Sequence, residues 1–131
     1  MVDAALLTRG KVEGAAIGIG GTVDLPGQQN DARIWCGSDS TLVVEVDITG
    51  TADADLNVDV NPYEADNATI MAGGGAVMEI PPVLSMGPKV SGGHVFFYAQ
   101  YDVTALEMVR VRIFNLNAGA QTVTRASWRL A

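Results

Sequence analysis

The clearest structural signal in this chain is the run Glu107-Met-Val-Arg-Val-Arg-Ile-Phe-Asn-Leu-Asn-Ala-Gly-Ala-Gln-Thr-Val-Thr-Arg-Ala-Ser-Trp-Arg-Leu130. Over residues 107–114 the side chains alternate, so that Val109, Val111 and Ile113 share one face and two arginines share the other. Alternation with a period of two in β-branched residues predicts a half-buried strand. Residues 121–130 alternate again, and the connector contains the Asn and Gly that tight turns require. We therefore predict a β-hairpin over residues 107–130.

The second strand of this predicted hairpin carries the tryptophan nearest the end of the chain. Its predicted buried face consists of Thr122, Thr124, Ala126, Trp128 and Leu130. Its other face consists of Arg125, Ser127 and Arg129. Because successive side chains of a strand point to opposite faces, we expect Trp128 to lie in the core beside Val109, Val111 and Ile113. Ala126 should be buried with it, and both arginines of this strand should be exposed.

Further strands are predicted along the whole chain. Thr41–Thr49 and His94–Val103 have strand composition, and weaker signals lie at 5–8, 11–19, 32–36, 54–60, 76–80 and 83–84. No window has convincing helical periodicity. Short strands separated by Gly, Pro and Asn are typical of a sandwich or barrel. The sequence thus predicts an all-β fold, a single antiparallel β-sandwich domain over residues 1–131 with about eight strands, for which a jelly roll is one arrangement.

Composition and charge limit the classes of function. Of the 131 residues, 48% are hydrophobic and 18% are charged, as in a globular domain. The formal net charge of −7 opposes a phosphate backbone, so we expect no direct binding to nucleic acid. No stretch approaches the roughly 20 apolar residues of a membrane helix, and the first residues lack the basic start of a signal peptide. We expect a protein that is made in the cytoplasm and does not bind membranes.

Charge is segregated along the chain. Between Arg33 and Lys89 there are nine Asp or Glu residues and no Lys or Arg. The densest basic stripe of the predicted hairpin consists of Arg110, Arg112, Arg125 and Arg129. Two interpretations of this stripe stay open, a solvated sheet face and a contact surface for an acidic neighbour. Residues 1–30 are rich in Gly and Ala, which suits a partly extended arm that a neighbouring subunit orders. These features predict a homo-oligomer, with a trimer favoured.

The sharpest motif is Asp53-Ala-Asp-Leu-Asn-Val-Asp-Val-Asn-Pro-Tyr-Glu64, whose oxygen side chains match the spacing of an EF-hand calcium loop. Val58 stands where that loop requires glycine, and the flanking helices are missing, so an EF-hand is excluded. In a strand every second residue shares a face, and a solvated strand face is the preferred interpretation. The alternative is a calcium site of another kind with Asp53, Asp55, Asp59 and Glu64 as ligands. No other cofactor is predicted.

No group of residues resembles an active site. Cys36 is the only cysteine and His94 the only histidine, so a nucleophile and a base are formally present. A lone Cys beside Trp35 is more typical of a small buried hydrophobe, and a His that begins a strand after two glycines is typical of the surface. We predict that the protein is not an enzyme.

The segment Tyr101-Asp-Val-Thr-Ala-Leu-Glu-Met-Val-Arg-Val-Arg-Ile-Phe-Asn-Leu-Asn-Ala-Gly-Ala-Gln-Thr-Val-Thr-Arg-Ala-Ser-Trp-Arg-Leu130 resembles the closing hairpin of small β-sandwich virion proteins of tailed bacteriophages, such as head decoration (cement) proteins. The resemblance covers under a quarter of the chain. It implies a β-sandwich or jelly-roll trimer or dimer that binds the outside of the major capsid shell, often through an N-terminal arm. No functional residue is carried over, because the family has no fixed motif to match.

Two classes of function follow. The first is a non-enzymatic virion protein that binds and stabilises the major capsid shell as a decoration protein. The second is an oligomeric β-sandwich binding module, of a tail or fibre or for carbohydrate. The sugar platform of such a module would consist of exposed aromatic residues among Trp35, Tyr63, Tyr98, Tyr101 and Trp128.

Overall fold

The chain forms nine β-strands and no helix over the residues that its computed structural model describes, 8–28, 31–49, 56–63, 78–116 and 119–131. The strands are β1 (Arg9–Ile17), β2 (Thr22–Asp24), β3 (Ile34–Trp35), β4 (Thr41–Thr49), β5 (Leu56–Tyr63), β6 (Leu84–Ser91), β7 (His94–Asp102), β8 (Met108–Asn115) and β9 (Gln121–Leu130). All of their pairings are antiparallel. The all-β antiparallel prediction is confirmed. In the described ranges no helix has the length and apolarity of a membrane span.

The strands form two sheets that enclose one core. The five-stranded sheet has the order β1-β9-β4-β7-β6. In the four-stranded sheet, β5 pairs with β8 over its whole length, so the short β2 and β3 both lie along the other edge of β8. The inward side chains of both sheets make one hydrophobic cluster, in which Trp128 and Tyr101 are the largest fully buried side chains.

The predicted hairpin over 107–130 is wrong, although both of its strands exist. β8 pairs only with strands of the four-stranded sheet, and β9 pairs only with β1 and β4 of the other sheet. Each strand has one apolar face. Because β8 and β9 belong to different sheets, these two faces meet across the core. In a hairpin they would lie side by side in one sheet. The crossing therefore buries both faces at once.

Burial of the core side chains follows the predicted pattern over most of β8 and β9. Val109, Val111, Ile113 and Ala126 are buried in the same cluster as Trp128, as expected. Arg125 and Arg129 are exposed. The expected facing of these residues is confirmed.

The first half of β9 faces the other way from the prediction. Thr122 and Thr124 are exposed, and Val123 is buried. Asp47 of β4 is opposite Arg125 and Ile48 is opposite Val123, so Thr124 is an extra residue, a β-bulge that inverts the alternation. Gly14 lies opposite Thr124 on β1 and has a φ of 69°, so β1 carries a matching irregularity. Simple alternation could not reveal this bulge.

The N-terminal segment is part of the sandwich from Arg9 onward. β1 pairs with β9 along its length, and both Ile17 and Leu25 are buried in the core. Residues 1–7 lie outside the described residues, and for them the extended arm stays a prediction. Deletion of residues 1–20 would remove an edge strand of the larger sheet together with any arm.

β6 extends well beyond the short strand signal seen at 83–84. Its register with β7 shifts between Met86 and Lys89, where Gly87 and Pro88 leave the ladder. Proline is compatible with a strand at a sheet edge or a bulge, and β6 has both features. The Gly87-Pro88 pair argues against a strand in the sequence, because a strand that pairs on both sides could not contain a Gly-Pro pair.

Candidate binding face on the five-stranded sheet

The outward side chains of the five-stranded sheet form a surface whose composition changes from strand to strand. Residues directly opposite each other in antiparallel strands share a face, so the registers define rows across the sheet. The three rows are Arg9, Arg129, Val43, Gln100 and Leu84; Lys11, Ser127, Glu45, Tyr98 and Met86; and Glu13, Arg125, Asp47, Phe96 and Lys89. Cations gather on β1 and β9, carboxylates on β4, and apolar groups on β7 and β6. We call this surface the banded face.

Positive charge is concentrated at the β1 end of the banded face. Arg9 lies directly opposite Arg129, and Lys11 is the next outward residue of β1. The Lys11 Nζ atom lies 2.8 Å from Glu13 Oε1. Its hydrogen bond and positive charge lower the pKa of the Glu13 carboxyl. No carboxylate among the described residues forms a salt bridge with Arg9 or Arg129, so this end keeps an excess of positive charge.

Carboxylates occupy the middle of the banded face. Glu45 is exposed, and Asp47 is partly buried between neighbouring strands. The Asp47 Oδ1 atom lies 2.7 Å from Nδ1 of His94. The His94 ring stacks on Phe96 with 5.4 Å between the ring centroids and 6° between the planes. These contacts link the acidic strand β4 to the aromatic side chains of β7.

Aromatic and apolar side chains form the third band. Phe96 is 43% exposed and Met86 is 57% exposed, which is unusual for large apolar residues. The Gln100 Nε2 atom donates a hydrogen bond of 2.8 Å to the Tyr98 hydroxyl and holds that ring in one orientation. Phe96 and Tyr98 therefore present fixed ring surfaces beside the carboxylates.

Two depressions follow one another across the banded face. The first has a volume of about 470 Å³ and is lined by Asp47, Phe96 and Tyr98 among others. The second has a volume of about 360 Å³ and is lined by Arg9, Lys11 and Arg129 among others. Glu45, Arg125 and Ser127 line both. The depressions therefore adjoin and form one elongated groove that runs across the strands.

The four arginines predicted as one stripe lie on two sheets. Arg110 and Arg112 of β8 point outward from the four-stranded sheet, whereas Arg125 and Arg129 belong to the banded face. A single stripe is wrong because β8 and β9 belong to different sheets. A role for each arginine in contacts with another protein stays a prediction.

The two arginines of β8 are bound within their own chain. The Arg112 Nε atom donates a hydrogen bond of 2.8 Å to Asp24 Oδ1, and this bond raises the pKa of the guanidinium. The Arg110 Nη2 atom donates to Asn61 Oδ1 at 3.0 Å, and its guanidinium lies 5.6 Å from the centre of the Tyr63 ring. These contacts tie β8 to β2 and β5.

The structure tests the proposed calcium motif only in part. Asp53, Asp55 and Glu64 lie outside the described residues, and a calcium site that includes them stays a prediction. The described part of the motif alternates at Asn57, which is exposed, and Val60, which is buried. Asn61 breaks the expected solvated face, because it is buried and its Nδ2 atom donates to the Met78 carbonyl at 2.8 Å. The described residues contain no group of three possible metal ligands.

Asp59 has a carboxylate neighbour that is distant in sequence. The protonated Glu79 carboxyl donates a hydrogen bond to the Asp59 carboxylate, and this bond, some loss of hydration and the Asp59 charge raise the pKa of Glu79 to about 7. The two carboxyl groups share a proton, because two negative charges in contact are unfavourable. The Asn57 Nδ2 atom donates a further hydrogen bond of 2.8 Å to Asp59 Oδ1. The spacing within residues 53–64 gave no signal for this pair.

We predict that this pair makes stability depend on pH near neutrality. The pKa of Glu79 is about 7 in the folded protein and near its ordinary value of 4.5 in the unfolded chain. The folded state therefore binds the proton more tightly, and its contribution to stability is complete below pH 4.5 and is lost as the pH rises to about 7. Urea midpoints measured across this window should fall with pH, and Glu79→Gln should flatten the dependence. Glu107→Gln, at an exposed position, is the matched control, and an unchanged slope in Glu79→Gln would contradict the prediction.

Cys36 and His94 do not form a reactive pair. Burial raises the pKa of the Cys36 thiol to about 11, so the thiol stays protonated near neutral pH. Its Sγ atom lies 3.9 Å from the Ile34 carbonyl oxygen in the core. His94 lies on the banded face, hydrogen-bonded to Asp47. The interpretation of Cys36 as a buried hydrophobe is confirmed.

The aromatic residues proposed as a sugar platform are dispersed. Tyr101 and Trp128 are fully buried, so neither presents a ring face on which a sugar could pack. Trp35 and Tyr63 belong to the four-stranded sheet and are partly buried. Of the five, Tyr98 alone lies on the banded face. Phe96 is its aromatic neighbour there, and the sequence analysis missed it because a Phe within Val-Phe-Phe-Tyr suggests burial.

Comparisons with known proteins give no family for this chain. No family model matches it, and no curated protein matches its sequence. Among solved structures, the SPBc2 prophage-derived protein YomS matches over 96% of this chain and 97% of its own, with 10% identity and a TM-score of 0.42. The CBM22-1 xylan-binding domain from Paenibacillus barcinonensis Xyn10C matches over 93% of this chain and 92% of its own, with 11% identity and a TM-score of 0.47.

Proposed function

We propose that this protein is a non-enzymatic structural component of a virus particle, a decoration protein that binds the major capsid protein of the shell. The observation that supports this proposal is the outer edge of the five-stranded sheet. Every residue of β6 is exposed, and Val83, Leu84 and Met86 are exposed at 67, 46 and 57%. Contiguous apolar surface of this kind commonly marks a site where another protein binds. We call these three residues the edge patch.

The partner contacts the edge patch through side chains. The backbone edge of β6 is interrupted where Gly87 and Pro88 leave the ladder, and Lys89 follows. Bulges, proline and lysine at a sheet edge all oppose the addition of a further strand. The neighbouring protein therefore packs on Val83 and Leu84 and does not extend the sheet.

The proposal includes self-association, with a trimer favoured, and a jelly-roll arrangement of the strands. The order β1-β9-β4-β7 in one sheet opposite β8 and β5 in the other supports that arrangement. The edge patch supports self-association as well as attachment to the shell, since either neighbour would remove it from water. Residues 1–7 are proposed to extend toward the neighbour.

The experiment compares two variants that add the same charge at different places. Val83→Lys/Leu84→Lys disrupts the edge patch, whereas Thr22→Lys/Ser38→Lys changes two exposed positions elsewhere. Each protein is sedimented with empty shells assembled from the major capsid protein of the same genome. We expect the edge variant to bind at least about tenfold more weakly, since it places charges in an apolar contact. The control variant should bind like the parent protein.

Three outcomes contradict the proposal or a part of it. Equal binding by both variants would show that the edge patch is not the interface. A parent protein that does not sediment with the shells would contradict the decoration function. Light scattering that shows a monomer at high concentration would contradict self-association, and circular dichroism of each variant confirms that the sandwich is folded.

A second candidate is a binding module, favoured by a different observation. The elongated groove of the banded face shares Met86 with the edge patch and has the size of a ligand site, with two adjoining depressions of about 470 and 360 Å³. Its mixture of cations, carboxylates and aromatic rings suits a polar ligand with apolar surfaces, such as carbohydrate.

A further inference from the structure

We infer that the groove of the banded face binds an acidic polysaccharide, with a carboxylate or sulfate group of the sugar chain held by Arg9 and Arg129. This inference rests on the second candidate function, the carbohydrate-binding module, and names its ligand class. It does not depend on attachment through the edge patch.

Two arginines lie directly opposite each other at one end of the groove. Arg9 and Arg129 face each other across neighbouring strands, with Lys11 two residues from Arg9 on the same face. Like charges in this position destabilise a sheet, and an anion bound between them removes the repulsion. Guanidinium groups match the planar carboxylate and the sulfate group with paired hydrogen bonds. All three cations line the same depression of about 360 Å³.

The few cations of this acidic chain are unevenly distributed. The chain has eight Lys and Arg residues and a net charge of −7. Five of the cations lie on the banded face, namely Arg9, Lys11, Lys89, Arg125 and Arg129. On that face Lys11 pairs with Glu13; of the other three cations, Arg33 and Arg112 pair with Asp31 and Asp24, and Arg110 donates to the neutral Asn61 amide. The banded face is therefore where this protein can attract an anion.

Carboxylates within the groove restrict which anionic polymer it can bind. Glu45 and Asp47 lie in the middle of the groove, one strand from Arg125 and Arg129. A nucleic acid has closely spaced phosphates, and these would be brought against the two carboxylates. A sugar chain carries hydroxyl groups between its acidic groups, and hydroxyls donate hydrogen bonds to carboxylates. Ser127, which lines both depressions, adds a hydroxyl that both donates and accepts.

The end of the groove that lies on β7 is aromatic. Tyr98 and Phe96 lie about 14 Å from the β1 edge of the face, since three strand spacings of about 4.8 Å separate β1 from β7. The apolar face of a sugar ring packs on an aromatic ring, and the hydroxyl of Tyr98 remains able to bond. The groove thus accepts an acidic unit at one end and a ring face at the other, which requires a ligand of several linked sugars.

The test measures binding of defined oligosaccharides by isothermal titration calorimetry. The probes are a hyaluronan hexamer, in which each acidic sugar alternates with a neutral one, a hexamer with sulfate on alternate sugars, and a neutral hexamer of glucose. We expect the acidic hexamers to bind more tightly than the neutral one, and more weakly at high salt. Arg129→Gln should weaken acidic binding by about tenfold or more, since a charge-assisted contact is lost. Arg112→Gln removes the same charge from the other sheet and should leave the affinity unchanged.

The remaining variants distinguish this inference from its competitors. Tyr98→Ala should weaken binding of every hexamer that binds, whereas Val83→Ser, outside the banded face, should leave it intact even where shell attachment is weakened. Equal effects of Arg129→Gln and Arg112→Gln would overturn the inference, as would failure of both acidic hexamers to bind.

If inorganic sulfate binds as tightly as the hexamers, the site is an anion site only. If Arg9→Gln/Arg129→Gln changes the mass found by light scattering, the face is an interface between copies. Binding of the neutral hexamer alone would support the carbohydrate-binding module and would contradict the inference that its ligand is acidic.

Discussion

Trp128→Ala is expected to lower the free energy of unfolding by about 3–5 kcal/mol, the usual cost of deleting a buried tryptophan. The side chain is 1% exposed and belongs to the cluster that both sheets enclose. Its Nε1 atom donates a hydrogen bond of 2.7 Å to the Pro26 carbonyl. Gly10 lies against the indole so closely that a Cβ atom there would be 2.5 Å from Nε1. A small shift of the surrounding residues therefore cannot fill the cavity that alanine would leave.

Chemical unfolding measures this loss of stability. One further variant separates the contribution of packing from that of the hydrogen bond, and another is the control. Trp128→Phe keeps most of the apolar contact but leaves the Pro26 carbonyl without its donor, so a smaller loss of about 1–3 kcal/mol is expected. Arg129→Ala changes the exposed neighbour on the same strand and should stay within about 0.5 kcal/mol of the parent protein. A Trp128→Ala protein with the stability of the Arg129→Ala protein would contradict the placement of Trp128 in the core.

Asn115→Ala is expected to cost about 1–3 kcal/mol, because it removes a buried amide that bridges three carbonyl groups, of which that of Ile17 is buried. Asn115 is 1% exposed, and its Nδ2 atom lies 3.2, 3.1 and 2.9 Å from the carbonyl oxygens of Ile17, Gly18 and Gly119. Its backbone N–H also donates to the Gly21 carbonyl at 3.0 Å. One side chain thus joins the end of β1 to the point where the chain crosses from β8 to β9.

Two comparisons make the Asn115 prediction specific. Asn57→Ala removes an exposed amide that bonds Asp59, and it should change the stability much less. Asn115→Asp keeps the shape but turns a carboxylate toward carbonyl oxygens, so its loss relative to the parent should be larger at neutral pH than at pH 3. Protonation at the lower pH removes the charge, which is the form that the buried site favours. Equal stability of Asn115→Ala and Asn57→Ala would show that the crossing is not held by this amide.

Predictability from sequence differed among the strands for a physical reason. β4 was predicted with its observed bounds, since Thr41–Thr49 is flanked by β7 and β9 and its inner face is uniformly apolar. β6 was mostly missed, because an edge strand has pairing on one side only and can include Gly87 and Pro88. The reversed facing at Thr122 and Thr124 arose from a bulge that depends on the register with β4.

The candidate site was less predictable than the strands. Alternation showed that Arg125 and Arg129 point away from the core, and the structure agrees. It could not show that Arg129 lies opposite Arg9, which is 120 residues earlier in the sequence. The same holds for Asp59 and Glu79, whose shared proton depends on a contact outside the motif of residues 53–64.

Alternation of side chains along single strands was enough to predict the class of fold, the strand character of most segments and the buried side of β8. Which sheet each strand joins, and therefore which charges meet, depends on contacts between segments that are distant in sequence. β8 and β9 are adjacent in sequence and have complementary apolar faces, which suits a hairpin and a pair of facing strands equally well. Only the packing of all nine strands selects the second arrangement, since it closes the core around Trp128 and brings β1 beside β9. The banded face is a consequence of that selection.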